Sequence, residues 1–256
     1  MTTPTVSCLA IFFFLLLATG AANGGPTSQP TTAPTVFNSR TIANLRAGRA
    51  ATIVTYGTSL TQGAAWVSGV QKALAGQFGD RVKVVNSGMS GCNSADGLRE
   101  LNARVLKAKP DMVFIEFAIN DCVLRFDISQ AAARKNLETM IDRILEAGPQ
   151  TEIVLMTMNA PVGGEFVGKR TEFLAYYEMY RQVARDRRLP LIDNYVLWKK
   201  VLDENPALYK GSWVRDGVHA SAEAQLKVTL PAILAALGVA EPADMPAPRP
   251  ATRRDD

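Results

Sequence analysis

Five short apolar runs, each followed by a stretch of helical spacing, constrain this chain more than any other feature. The runs lie at about 51–57, 82–86, 112–117, 152–158 and 189–193. After the first run, Trp66, Val67, Val70, Leu74 and Phe78 recur at helical intervals. Leu137, Met140, Ile141, Ile144 and Leu145 do so within 131–147. Helices are expected to reach Gly79 and Lys107, and to cover about 131–147, 170–187 and 222–237. Short β-rich runs alternating with helices argue for a parallel sheet covered on both faces. The expected fold is α/β, a three-layer α/β/α sandwich with a five-stranded parallel sheet. A chain of 256 residues with 47% hydrophobic content can fill one such core. In sheets of this kind ligands gather outside the carboxyl ends of the strands. Ser59, Gly88 and Asn120 fall at the ends of the first three runs.

The chain ends read differently. Residues 9–18 form an apolar run of signal-peptide length, followed by Gly20, Ala21 and Ala22. A secretory signal over 1–22 is expected, which places the protein in the periplasm or outside the cell. The stretch before the run carries no Lys or Arg, so an uncleaved membrane anchor is the alternative. The run is short for a bilayer span, and no stable span is expected after cleavage. Residues 23–40 form a Pro/Thr-rich linker, 41–239 the folded domain, and 240–256 a flexible Pro-rich tail.

Cys8 lies in the leader, leaving Cys92 and Cys122, which either pair in an oxidising compartment or remain small buried thiols. The net charge of +4 is dispersed, with no basic stripe interleaved with aromatics, so nucleic-acid binding is not expected. One histidine and two separated cysteines make no zinc ligand set. No metal or cofactor is expected.

The stretch Gly57-Thr58-Ser59-Leu60-Thr61-Gln62-Gly63 joins the first run to a helix. Its serine is either a helix cap or a nucleophile at a strand-to-helix turn. A nucleophilic serine needs a base working near neutral pH, and His219 is the only histidine. Asp216 lies three residues before it and can orient the ring. Read alone, Asp216-Gly217-Val218-His219 is equally a surface turn. Gly88 offers a backbone N–H and Asn120 a side-chain amide, both suited to an oxyanion and both ordinary at strand ends.

Four blocks carry a resemblance. Gly57-Thr58-Ser59-Leu60-Thr61, Asn86-Ser87-Gly88, Ala118-Ile119-Asn120-Asp121 and Asp216-Gly217-Val218-His219 resemble, in order, the Ser, Gly, Asn and His blocks of the SGNH (GDSL-type) hydrolases. The likeness spans about residues 51–235. Thr58 stands where the family usually has Asp, and Ala118 where it has Gly. The resemblance implies a flavodoxin-like fold and a serine esterase with Ser59 as nucleophile, His219 as base and Asp216 orienting it. It implies an oxyanion hole made by the N–H groups of Ser59 and Gly88 and the Asn120 amide. For an exported member it implies a short-acyl carbohydrate or polysaccharide ester as substrate. Lipase, lysophospholipase and arylesterase activities are the alternatives within the family, and acyl transfer remains possible.

Other readings compete. Gly163-Gly164-Glu165-Phe166-Val167-Gly168-Lys169-Arg170 nearly matches a phosphate-binding loop, but Arg170 replaces the terminal hydroxyl residue. An edge loop for substrate is the preferred reading. Ser90, in Gly88-Met89-Ser90-Gly91-Cys92, resembles a nucleophile elbow and competes with Ser59. A catalytically inactive glycan-binding module is the non-enzyme alternative. Phe173, Tyr176, Tyr177 and Tyr180 read as core-facing aromatics of one helix.

Overall fold

The computed structural model describes residues 36–163 and 168–241. The expected leader, the linker up to residue 35 and the tail from residue 242 lie outside the described residues. Five strands form one sheet: β1 (Ala51–Gly57), β2 (Val82–Asn86), β3 (Met112–Glu116), β4 (Glu152–Thr157) and β5 (Leu191–Asp193). Their order is β2-β1-β3-β4-β5, and every pairing is parallel. The central strands are buried on both faces, which is why β1 and β3 read as continuous apolar runs. After β2 the chain crosses back over β1 to place β3 on its other side. That reversal opens a crevice between the carboxyl ends of β1 and β3, where Gly57 lies in register with Glu116.

The helices are α1 (Arg40–Arg46), α2 (Ser59–Gln62), α3 (Ala65–Phe78), α4 (Ser94–Arg104), α5 (Ala118–Asp121), α6 (Gln130–Ala147), α7 (Phe173–Arg187), α8 (Asn194–Glu204) and α9 (Leu230–Leu237). Helix α3 packs with α9, while α6 packs with both α4 and α7, so the sheet carries helices on both faces. The expected stripe on α3 is buried. On α6, Leu137, Met140, Ile141 and Ile144 are buried, while Leu145 is half-buried. Asn93 and Asp96 cap α4 reciprocally. Near the start of the described residues, the Phe37 amide donates to the Ala236 carbonyl at 3.1 Å.

Three elements depart from expectation. The fifth strand starts at Leu191 because Pro190 has no N–H to give the ladder, although its carbonyl accepts from Leu155. The expected helix at 222–237 is one turn, a wide π-type turn at Gln225–Thr229, and then α9. Pro231, at the start of α9, cannot bond back to Lys227, and the wider turn accommodates it. Helix α8 was not expected. Only Asn194 and Trp198 on it are fully buried, which leaves no broad apolar stripe to read.

Trp198 anchors a small second core with Tyr209, Val214 and Ala224. Cys92 and Cys122 are free thiols. Among the described residues no helix is long and apolar enough to cross a membrane.

Candidate active site

Ser59 is the first residue of α2, directly beyond the end of β1. The capping is done by its neighbour: Thr58 Oγ1 accepts from the Leu60 amide at 3.1 Å. Ser59 Oγ is thereby left to another partner. Glu116, at the end of β3, supports this turn from below. Its carboxyl accepts from the Thr58 amide at 2.6 Å, the Thr61 hydroxyl at 2.7 Å and the Thr58 hydroxyl at 3.0 Å. A Cβ on Gly57 would lie 2.3 Å from Glu116 Oε1, so only glycine admits the carboxyl there. Burial pushes Glu116 up to about 7, against the opposing pull of the threonine donors.

The second core carries the loop with Asp216 and His219. Tyr209 OH donates to the Ala160 carbonyl at 2.7 Å, and Trp198 Nε1 donates to Thr229 Oγ1 at 3.1 Å. The extension of β4 grips the loop itself: Val162 N donates to Gly217 O at 2.9 Å and Asn159 Nδ2 to Val218 O at 2.8 Å. Asp216 Oδ1 accepts from the amides of Val218 and His219 at 2.9 and 2.7 Å. Its Oδ2 lies 2.6 Å from His219 Nδ1, and His219 Nε2 lies 2.8 Å from Ser59 Oγ. Burial works against the Asp216 charge, but the two amides and the imidazole together hold the carboxyl below its ordinary value.

Ser59 and His219 line an open cleft of about 520 Å³ with Leu60, Gln62, Gly63, Ser90, Ala220 and Gln225. Gly88 and Asn120 do not line it. The Gly88 N–H donates to Asn86 Oδ1 at 3.0 Å, and Asn86 Nδ2 reaches the carbonyls of Thr61 and Gln62. A Cβ on Gly88 would lie 2.3 Å from the Gln62 nitrogen. This glycine therefore lets the end of β2 press against the serine turn. Three residues on, Gly91 has a φ of 72°, a left-handed conformation suited to glycine. Asn120 Nδ2 donates to the neighbouring Cys92 carbonyl at 2.8 Å.

The structure thus brings Ser59, Asp216 and His219 together, places Asn120 against the Cys92 carbonyl, and commits the Gly88 N–H elsewhere. Residues 164–167 of the phosphate-loop-like stretch lie outside the described residues. Arg170, at its end, is buried and donates to the Ile119 carbonyl and to Asn120 Oδ1. Glu116, Asn86 and Arg170 were not anticipated from sequence. A carboxylate closing the apolar run at 112–117 was the available signal for Glu116. In the sequence, Arg170 reads only as the residue that breaks the phosphate-loop pattern at the end of an edge loop.

The GDSL-like Lipase/Acylhydrolase family matches residues 54–226, from within β1 to the π-type turn. An arylesterase of Vibrio mimicus is 28% identical over 161 residues, covering 62% of this chain and 72% of that protein. An acetylxylan esterase of Geobacillus stearothermophilus is 29% identical over 167 residues, covering 61% and 72%. Among solved structures, a catalytic mutant of an acetylxylan esterase from the same organism has the same fold. Its TM-score is 0.64 at 23% identity, over 75% of this chain and 96% of that one. A lipase/acylhydrolase from Enterococcus faecalis gives 0.60 at 29% identity, over 75% and 98%. With the match running through most of the described domain, the chain belongs to the GDSL-like lipase/acylhydrolase family of carboxylic ester hydrolases.

Proposed function

We propose that this chain is an exported serine esterase that removes short acyl groups, acetyl above all, from carbohydrate or polysaccharide esters. The observation that carries the mechanism is the line from Ser59 Oγ through His219 to Asp216, with bonds of 2.8 and 2.6 Å. His219 Nε2 takes the Ser59 proton as Oγ attacks the ester carbonyl carbon, while Asp216 orients the ring and stabilises the imidazolium. The tetrahedral oxyanion collapses, and the departing alkoxide takes the proton from His219. Water then attacks the acyl-serine, His219 takes its proton, and Ser59 leaves protonated as the acid is released.

The oxyanion donors in this reading are the Ser59 amide, the Asn120 side chain and a loop glycine. Gly91 fits that third role better than Gly88. It lies between Ser90, which lines the cleft, and Cys92, which touches Asn120, whereas Asn86 already accepts the Gly88 N–H.

The cleft supports a small acyl group on a large alcohol. Its described lining offers only Leu60 and Ala220 as apolar side chains. The side chains of His219 and Asp216 are 45% and 43% exposed, which leaves room for a bulky polar substrate. The acetylxylan esterase relative points the same way. Ser59→Ala and His219→Ala are expected to lose p-nitrophenyl acetate hydrolysis by about 10⁴-fold or more. Fluorophosphonate should label the peptide carrying Ser59 and leave Ser90 unmodified. Near-normal turnover by His219→Ala would remove the base from this scheme. Export is tested by the N-terminal sequence of the protein recovered outside the cytoplasm, expected to begin after Ala22.

A further inference from the structure

Asn120 is held from both ends of its side chain. Its oxygen accepts from Arg170 Nη2 at 3.0 Å, and its nitrogen donates to the Cys92 carbonyl at 2.8 Å. A guanidinium can only donate and a carbonyl can only accept, so only one orientation of the amide satisfies both partners. The flipped amide would set NH₂ against guanidinium and oxygen against oxygen. The nitrogen carries two hydrogens. Cys92 takes one and the other remains to be given.

We propose that Arg170 is the positioning residue for the oxyanion donor Asn120, its guanidinium holding the amide oxygen so that an N–H, never the carbonyl, is presented to the reacting centre. This rests on the oxyanion role proposed above for Asn120. Arg170 is only 8% exposed, and its Nε donates at the same time to the Ile119 carbonyl at 2.9 Å. The fork therefore grips two successive residues of α5, fixing the backbone and the side chain together. Lysine, a single point charge, cannot reproduce that pair of directed bonds. A charged donor on the amide oxygen also polarises the amide and strengthens the remaining N–H in a site of low dielectric.

A purely structural role for Arg170 would be to tie the segment after residue 168 to α5, and the kinetics separate the two. With full-length protein and p-nitrophenyl acetate, Arg170→Met is expected to lower kcat by about 10- to 100-fold, less than loss of the donor itself. KM should stay within about twofold, since the interaction strengthens only in the transition state. Arg170→Lys should recover part of the loss. In an Asn120→Ala background, Arg170→Met should cost less than about twofold more, because the two residues act as one unit. Unchanged kcat in Arg170→Met, or an equal loss with and without Asn120, overturns the proposal. Should Arg170→Met fail to fold, Arg170→Gln and Arg170→Lys carry the same cycle. Wild-type protein whose Ser59 takes no fluorophosphonate removes the underlying site reading. A labelled, active wild type with an indifferent Arg170 removes only this inference.

Discussion

The departure of Thr58 from the usual aspartate acquires a physical meaning beside Glu116. Thr58 Oγ1 caps the serine helix and donates to Glu116, while the Thr58 amide gives its hydrogen to the same carboxyl. A carboxyl is thus available beneath the turn from β3. From the sequence, Ser59 read equally as a cap or a nucleophile. The structure gives the cap to Thr58 and leaves the Ser59 hydroxyl against His219, a division that depends on which hydroxyl faces back along the helix and so cannot be read from spacing. Glu116 also makes stability depend on pH. Burial raises its value from 4.5 to about 7, so the folded state holds the proton more tightly than the unfolded chain. The associated stability is present in full below about pH 4.5 and is lost as pH rises through about 7, on the order of 3 kcal/mol at most. The thermal midpoint should therefore fall across that interval. Glu116→Gln keeps an oxygen for the Thr58 amide and Thr61 hydroxyl and should flatten the decline in a melting series from pH 4 to 8. A Glu116→Gln curve as steep as wild type would assign the slope elsewhere. Asp121, buried and likewise raised to about 7, contributes a residual slope of the same sign.

At the scale of elements, the strands and long helices were legible because burial on one or both faces leaves a period in the sequence. Helix α8 and the segment carrying Asp216 were not, since they bury a few large rings around Trp198 and leave no stripe. Gly88 shows another limit. At the end of the second run it reads from the sequence as an oxyanion donor, but the direction of its N–H depends on Asn86. The His219 loop is the element whose geometry is most exposed to a single atom. Gly217 has a φ of 85°, and a Cβ there would lie 2.3 Å from the Gly163 carbonyl oxygen and 2.7 Å from that of Val162. Both obstacles are backbone, so the loop must shift, and Asp216 and His219 must shift with it. Gly217→Ala is expected to reduce kcat/KM for p-nitrophenyl acetate by about 100-fold, the scale of an ångström-level misplacement. The sheet and main core should remain intact by circular dichroism. Full activity in this variant would show that the loop tolerates displacement and that the 2.8 Å contact between His219 and Ser59 is not critical.

On the scale of the molecule, the strand order decides where chemistry can occur. The crevice between β1 and β3 gathers Ser59, Glu116 and α5 from segments far apart in sequence, while β4 reaches beyond its carboxyl end to hold the His219 loop. That arrangement puts Ser59 in an open cleft where Gln62, Gly63, Ser90 and Gln225 stand beside Leu60 and Ala220. Long acyl chains gain from burial at about 0.8 kcal/mol per methylene only where apolar walls exist to receive them. Here Leu60 is itself buried and Ala220 is small, so each added methylene lacks a surface to leave water against. Hydrolysis of p-nitrophenyl esters should accordingly fall from acetyl to butyryl to octanoyl, with kcat/KM dropping by about tenfold or more across the series. Enlarging the alcohol should have the opposite tolerance, because the side chains of His219 and Asp216 are 45% and 43% exposed. Acetylated xylo-oligosaccharides and acetylated xylan should then be deacetylated at rates comparable to small acetates, read as acetate released. A rate that rises with acyl length, or xylan left untouched while small acetates are cleaved, would place the preference with lipid or aryl esters instead.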